Sequence, residues 1–136
     1  MDPSGAAEVS ATTSAIRVFL VEDSKVIRER LLSLLQGLPG VDIVGDSDTA
    51  ADAIRGITDL APDVVVLDIK LKNGSGMGVL RTIKQRPAQV TMIILTNYAT
   101  DEYRKKCLEA GADHFLDKTN EFERLAPIIS QVRKQR

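Results

Sequence analysis

Five polar residues at the ends of apolar runs are the part of this sequence best suited to chemistry. They are Glu22, Asp23, Asp68, Thr96 and Lys118. The apolar runs before them are typical of strands that are buried on both faces of a parallel sheet. The carboxyl ends of parallel strands lie along one edge of the sheet, so these side chains should converge there. The sequence therefore predicts one small polar site built from strand ends.

The acidic residues of this group predict a divalent cation. Carboxylates held close together repel one another unless a positive charge compensates them. Mg²⁺ fits because it prefers hard oxygen ligands, binds through one or two carboxylates, and keeps waters that a phosphate oxygen can replace. We expect Asp23 and Asp68 as direct ligands, and Glu22 as a ligand through water. The backbone carbonyl of Lys70 would complete the protein's share.

Asp68 also has the chemistry of a nucleophile. Aspartate carboxylates form acyl phosphates, and such a transfer needs positive charge near the phosphoryl group. Lys118 would supply that charge beside the metal, and the Thr96 hydroxyl can donate to a phosphoryl oxygen. Each residue alone has an ordinary interpretation, the aspartate as a helix cap and the lysine as a surface charge. Their joint position at successive strand ends favours a site.

The apolar pattern that must position these residues alternates between strand and helix. Continuous apolar runs predict strands at 18–21, 41–44, 64–69, 90–95 and 115–116. Helical spacing follows each run, with Ser24 and Thr49 as caps of the first two helices. The last helix should extend from Phe122 to Val132, and Pro127 allows an early kink. Five such units predict one α/β domain, a doubly wound five-stranded parallel sheet in the flavodoxin-like order 2-1-3-4-5.

Composition and charge limit the partners and the compartment. The net charge is −1 over 136 residues, so we expect no nucleic-acid contact. No apolar run approaches the roughly 20 residues of a membrane span, so we expect no membrane contact. The single cysteine, Cys107, cannot form an internal disulfide, which indicates a reducing compartment and a cytoplasmic protein. We predict a flexible tail at 1–15, the folded domain at 16–134 and a short tail at 135–136.

The motifs around the five residues resemble the CheY-like receiver family of two-component response regulators. The resemblance covers about residues 16–132, and it rests on VFLVEDS at 18–24, VVLDI at 65–69, GSG at 74–76, LT at 95–96 and GADHFLDK at 111–118. Two positions depart from the family. Lys72 and Thr119 stand where the family often has proline, and this affects backbone detail more than chemistry.

The resemblance implies a function for each part of the site. A phosphoryl group would pass in a Mg²⁺-dependent reaction to Asp68 from the phosphohistidine of a sensor kinase or a phosphotransfer protein. Thr96 would be the switch hydroxyl and Phe115 the switch aromatic. Their movement would change the surface of the fourth helix, fifth strand and fifth helix, and so control a downstream partner. The domain would not be an enzyme beyond its own phosphorylation and dephosphorylation.

Two further expectations follow from the resemblance. In the family, the positions of Lys70 and Tyr98 flank the water that hydrolyses the phosphoryl group. A charged lysine accepts no proton and a tyrosine ring covers the approach, while Asn97 narrows it, so we expect slow hydrolysis. The family also often dimerises through its last helix. That helix carries more apolar residues here than one helix buries, so we expect a homodimer that phosphorylation strengthens.

Two alternatives remain at this stage. The first is a binding module with the receiver fold that works without phosphorylation, and the intact Asp68, Thr96 and Lys118 argue against it. The second is a phosphatase of the haloacid-dehalogenase type, which also uses a strand-end aspartate and Mg²⁺. That chemistry normally needs another aspartate two residues after the nucleophile, where this chain has Lys70. The chain is either a stand-alone regulator or one domain of a longer protein.

Overall fold

The computed structural model describes residues 15–87 and 89–132 and contains one parallel sheet of five strands. The strands are β1 (Ile16–Val21), β2 (Val41–Ser47), β3 (Val64–Leu67), β4 (Thr91–Thr96) and β5 (His114–Asp117). The helices are α1 (Lys25–Gln36), α2 (Ala50–Leu60), α3 (Gly76–Lys84), α4 (Asp101–Glu109) and α5 (Leu125–Ser130). The strand order is β2-β1-β3-β4-β5, so the predicted fold class is confirmed.

Hydroxyl side chains begin four of the helices, as N-caps do. Ser24 and Thr49 accept hydrogen bonds from backbone amides at the starts of α1 and α2, so both predicted caps are confirmed. Ser75 and Thr100 do the same for α3 and α4. Ser24, Thr49 and Thr100 follow a strand end by a few residues, whereas Ser75 closes the longer loop after β3. The caps therefore fix the short turns that carry the polar residues of the strand ends.

The core lies on both faces of the sheet. Helices α2, α3 and α4 cover one face, and α1 and α5 cover the other. Side chains of β3 alternate between the two, with Val65 and Leu67 on the first face. Val64 and Val66 point to the second face. Because β3 is buried on both sides, its end is a rigid place for Asp68.

All five strands differ from the sequence prediction by one to three residues at their ends, and the largest difference has a physical reason. The second strand was predicted to end at Val44 but continues to Ser47. Its last residues are polar because β2 is an edge strand, so the apolar pattern stops before the pairing does. A bulge in β2 shifts the register of its pairing with β1 by one residue: Val18 pairs with Ile43, and the next residue pairs with Gly45. The third strand was predicted to reach residue 69 but ends at Leu67.

The prediction of one continuous last helix is wrong. A 3₁₀ turn at Phe122–Arg124 precedes α5, and Val132 lies beyond its end. Pro127 is the third residue of α5, where a backbone N–H has no partner within the helix, so the proline costs α5 no hydrogen bond. The surplus of apolar surface expected on this helix is also smaller than predicted. Phe122 and Leu125 are buried in the chain's own core, together with Ile129.

Most of the two predicted tails lies outside the described part of the chain. Of residues 1–15 only Ala15 is described, and residues 135–136 are not. The domain bounds at 16 and 134 therefore stay predictions.

Candidate functional site

The carboxyl edge of the sheet brings three acidic side chains together. Glu22 and Asp23 follow β1, and Asp68 follows β3, which is the neighbour of β1 in the sheet. One carboxylate oxygen from each of the three lies within 4.8 Å of the others. Glu22 and Asp68 are buried, and Asp23 is half-buried. The switch in strand order between β1 and β3 thus holds a compact set of oxygen ligands.

Lys118, at the end of β5, reaches into this acidic set. Its ammonium donates to Glu22 Oε1 at 2.8 Å and to Asp68 Oδ2 at 2.9 Å. The side chain is only 6% exposed, so both contacts are shielded from water. Burial by itself lowers the pKa of Lys118, but the hydrogen bonds to Asp68 and Glu22 outweigh it and raise that pKa. Lys118 is therefore a fixed positive charge against the carboxylate of Asp68.

Glu22 is engaged through both of its oxygens. Oε1 accepts from Lys118, and Oε2 accepts from the backbone N–H of Ser24 at 3.0 Å. Burial raises the pKa of Glu22, although the Lys118 contact offsets part of this effect. Asp68 differs, because its Oδ1 accepts only a long bond of 3.4 Å from Lys70 N among the hydrogen bonds described. Asp23 and Asp68 are thus better placed than Glu22 to bind a metal directly.

The donor set fits Mg²⁺. Three carboxylates face one ammonium, which leaves acidic groups for a cation to compensate. Hard carboxylate oxygens on a partly open site are what this ion prefers. Lys70 follows Asp68 closely and forms an isolated antiparallel bridge with Ser75, which fixes the loop after β3. Asp23, Asp68 and the Lys70 carbonyl are the groups that would hold the ion.

Gly76 holds the loop after β3 against the backbone of Asp68, and sequence analysis missed this role. A Cβ atom on Gly76 would lie 1.9 Å from the backbone oxygen of Asp68. The Gly76 N–H donates to Ile69 O at 2.6 Å, so the two backbones are in direct contact. The motif at 74–76 was noticed in the sequence, but only the coordinates show which glycine the close approach requires.

Thr96 ends β4 beside the site and is fully buried. Its hydroxyl oxygen accepts from Tyr98 N at 3.1 Å, and its carbonyl accepts from Lys118 N at 2.9 Å. The second bond ties the end of β4 to the end of β5. Thr96 and Lys118 are therefore linked through the backbone as well as by their position at the sheet edge.

The three residues predicted to control hydrolysis lie at the exposed side of the site. The Lys70 ammonium sits over the Tyr98 ring, 4.7 Å from its centroid. Tyr98 is 46% exposed, and Lys70 is exposed as well. Asn97 Oδ1 accepts from the Thr119 hydroxyl at 3.5 Å. Lys70 and Tyr98 thus form one paired group at the end of the sheet that carries Asp68.

Phe115 lies further along β5 and is 4% exposed. Its ring packs in the core on the α2–α3–α4 face, together with Cys107 of α4. The guanidinium of Arg104 lies over the ring at 4.9 Å from the centroid, and Arg104 Nη1 donates to Phe115 O at 3.1 Å. Sequence analysis did not single out Arg104. Its one visible signal was a cation at mid-helix in α4, which is not specific.

Comparisons with known proteins agree with this geometry. The family model described as the response regulator receiver domain matches residues 18–130. The DNA-binding transcriptional activator DevR/DosR of Mycobacterium tuberculosis is 34% identical over 117 residues, which are 86% of this chain and 54% of that protein. The transcriptional regulatory protein BtsR of Salmonella typhi is 36% identical over 123 residues, 89% of this chain and 49% of BtsR.

A solved structure shows the same fold. The DNA-binding response regulator of the LuxR family from Staphylococcus aureus superposes with a TM-score of 0.80 at 26% identity, covering 85% of this chain and 97% of that one. The chain belongs to the response-regulator receiver family of two-component signalling. It spans about half the length of the two curated relatives named above. None of the helices in the described ranges is long and apolar enough to cross a membrane.

Proposed function

We propose that this chain is switched by transfer of a phosphoryl group from a phosphohistidine to Asp68. One observation carries the proposal: the buried Lys118 ammonium lies 2.9 Å from Asp68 Oδ2, beside two more carboxylates. This arrangement combines a nucleophile, a fixed positive charge and a metal-ligand set. A bystander binding surface needs none of these at a buried strand end.

The residues of the site have separate parts in the transfer. A carboxylate oxygen of Asp68 attacks the phosphorus, so a P–O bond forms as the P–N bond to histidine breaks and the imidazole leaves. Bound by Asp23, Asp68 and the Lys70 carbonyl, Mg²⁺ would neutralise charge on the phosphoryl oxygens. Lys118 stabilises the same charge, and for this its ammonium turns from the carboxylates to a phosphoryl oxygen. Thr96 offers its hydroxyl proton to another oxygen.

The switch would run from Thr96 and Lys118 to Phe115 and so to the surface of α4, β5 and α5. The phosphoryl group adds close to two negative charges, which gives Thr96 and Lys118 new partners. Phosphorylation would then shift an existing equilibrium between two conformations of this surface. The donor would be a sensor histidine kinase or a phosphotransfer protein, and the setting would be cytoplasmic. The folded domain would extend over residues 16–134, and its partner contacts would not include nucleic acid.

Labelling tests the assignment of the acceptor. Wild-type protein with Mg²⁺ and acetyl phosphate or a cognate kinase should take up one phosphoryl group, and Asp68→Asn should take up none. Asp59→Asn is the matched control, because Asp59 is an exposed residue of α2 outside the acidic set. Stoichiometric labelling of Asp68→Asn would defeat the assignment.

Two measurements separate the proposal from its alternatives. A binding module that works without phosphorylation would not respond to beryllofluoride, which imitates the phosphoryl group, whereas wild type should bind it with Mg²⁺. A phosphatase would turn over a small phosphate ester many times. This chain should show no such turnover of the ester.

A further inference from the structure

We propose that Arg104 is a positioning residue of the switch, whose guanidinium fastens Phe115 to the loop after β5 and stabilises the unphosphorylated arrangement. This inference rests on the proposed function. Arg104 lies on α4 and touches neither the acidic set nor Lys118 in the contacts described, so it would act only through Phe115 and Glu121.

Three contacts of one side chain join α4 to β5 and to the loop that follows it. The guanidinium stacks over the Phe115 ring at 4.9 Å, and Nη1 donates to the Phe115 carbonyl at 3.1 Å. Nη2 lies 3.9 Å from Glu121 Oε1. The planar guanidinium suits this combination, because it stacks on a ring and keeps donors free at its edge. A lysine would keep the charge but not this geometry.

Glu121 gives the guanidinium a fixed anionic partner. Its Oε1 accepts from Asp117 N at 2.9 Å, and its Oε2 accepts from Arg124 at 2.7 Å. The hydrogen bond from Asp117 N is the main cause that lowers the pKa of Glu121, so the carboxylate stays charged at neutral pH. Asp117 directly precedes Lys118 in the chain. The contacts of Arg104 thus end one residue from the lysine that meets the phosphoryl group.

The observed arrangement is the one expected without a phosphoryl group. Lys118 bonds both carboxylates, and the Thr96 hydroxyl oxygen accepts from Tyr98 N. In this arrangement Phe115 is 4% exposed beneath an Arg104 side chain that is 42% exposed. Turning the ring would break the stacking on Arg104. Contacts that exist only in the unphosphorylated arrangement stabilise that arrangement against the switched one. Arg104 should therefore lower the affinity for a phosphoryl mimic.

The alternative is that Arg104 only covers an apolar ring with its side chain while its charge rests in water. A matched control distinguishes the two. Lys105 is the next residue of the same helix and is exposed, and it makes none of the three contacts of Arg104. Lys105→Gln therefore removes the same charge from the same helix without touching Phe115.

Beryllofluoride titration with Mg²⁺, followed by NMR, tests the inference. Arg104→Gln should bind the mimic more tightly than wild type, by about 5- to 10-fold, at the low end of typical coupling energies between sites. Glu121→Gln should change affinity in the same direction but less. The affinity gain of the double variant should be smaller than the product of the two single gains, because both substitutions disrupt the same network of contacts. Lys105→Gln should match wild type.

A second measurement needs no ligand. Without beryllofluoride, Arg104→Gln should move the Phe115 ring and carbonyl resonances. In the titration itself, Arg104→Lys should return the affinity only part of the way to the wild-type value. If wild type does not bind the mimic, the proposed function fails, and the inference fails with it. If wild type binds but Arg104→Gln binds equally or more weakly, the role of Arg104 is overturned while the proposed function stands.

Discussion

The ammonium of Lys118 has two partners before any phosphoryl group arrives, and the proposed reaction must redistribute them. Its bonds to Glu22 and Asp68 are short and shielded from water. A buried charge that loses a partner is costly, so the phosphoryl oxygen must replace at least one of these bonds as it arrives. Transfer is thus favoured only when the incoming group carries enough negative charge to replace a carboxylate as the partner of Lys118.

The lifetime of the phosphorylated state should depend on Lys70 and Tyr98, which are paired by a cation–π contact beside the site. Replacing them by Lys70→Asn and Tyr98→Glu supplies an amide and a carboxylate that can orient the attacking water. We expect the double variant to lose phosphate about tenfold faster, a modest part of what general base catalysis can provide. The measurement is decay of ³²P-labelled protein.

Lys72→Asn is the control for the lost charge, because Lys72 is an exposed lysine of the same loop. Phosphorylated Lys72→Asn should lose phosphate at the wild-type rate. Decay of the double variant at the wild-type rate or slower would show that Lys70 and Tyr98 do not limit hydrolysis.

Mg²⁺ should stabilise the fold through the acidic set. At ten times its dissociation constant, an ion that binds only the native state adds about 1.4 kcal/mol to the free energy of unfolding. Thermal unfolding with Mg²⁺ and with a chelator measures this. Asp23→Asn should remove the Mg²⁺ effect and, by relieving repulsion, should leave the metal-free protein at least as stable as wild type. An undiminished Mg²⁺ effect in Asp23→Asn would contradict the ligand assignment.

The sequence predicts which residues lie close together at the site, but not the hydrogen bonds between them. The neighbourhood follows from strand ends, because parallel strands bring their carboxyl ends to one edge whatever the loops do. The double contact of Lys118 with Glu22 and Asp68 depends on rotamers, and so does the stacking of Arg104 on Phe115. No spacing rule relates residues of a helix and a strand that meet only in three dimensions. These contacts therefore could not be predicted from the sequence.

Among the elements, β2 and α2 meet β1 through a close approach to the Phe19 ring. A Cβ atom at Gly45 would lie 2.9 Å from the ring, and one at Gly56 would lie 2.7 Å from it. Phe19 is 2% exposed, so the ring has little room to move away. The two glycines therefore let β2 and α2 pack on one buried aromatic residue.

Gly56→Ala should destabilise the protein although alanine is the better helix former. The gain in helix propensity is about 1 kcal/mol, whereas overpacking a buried ring costs about 1–3 kcal/mol. Gly78→Ala in α3 is the matched control, because a Cβ there meets no atom within 4 Å. We expect chemical denaturation to separate the two variants by about 2 kcal/mol. A Gly56→Ala protein as stable as Gly78→Ala would show that the Phe19 ring moves aside at little cost.

The elements predicted best from sequence are those with both a cap and a buried face. Ser24 and Thr49 each marked a helix start that the structure confirms. The break before α5 was missed because Phe122 and Leu125 both face the core and keep helical spacing across the 3₁₀ turn. Apolar periodicity reports which side chains are buried. It does not report whether the backbone between them keeps one helical geometry.

For the molecule as a whole, self-association should be weak and should strengthen on phosphorylation. The apolar surface left near α5 consists mainly of the half-buried Ile128 and Val132, which is small for an interface. Sedimentation velocity with and without beryllofluoride measures the effect over a range of concentrations. Ile128→Ser should weaken the association. A monomer at high concentration in both states would exclude the predicted homodimer.

The order of the strands also divides the molecule into stiff and compliant parts. Within residues 15–87 and 89–132, β3 has a hydrogen-bonded neighbour on each side, whereas β5 is an edge strand paired only with β4. A displacement of β3 would disturb two ladders, while β5 can slide or tilt at the expense of one. Asp68 thus lies at the end of a stiff central strand, whereas Phe115 and Lys118 lie on a more compliant edge strand. We therefore expect a small displacement that begins at Asp68 to be taken up at β5, where α4 and α5 can move with it.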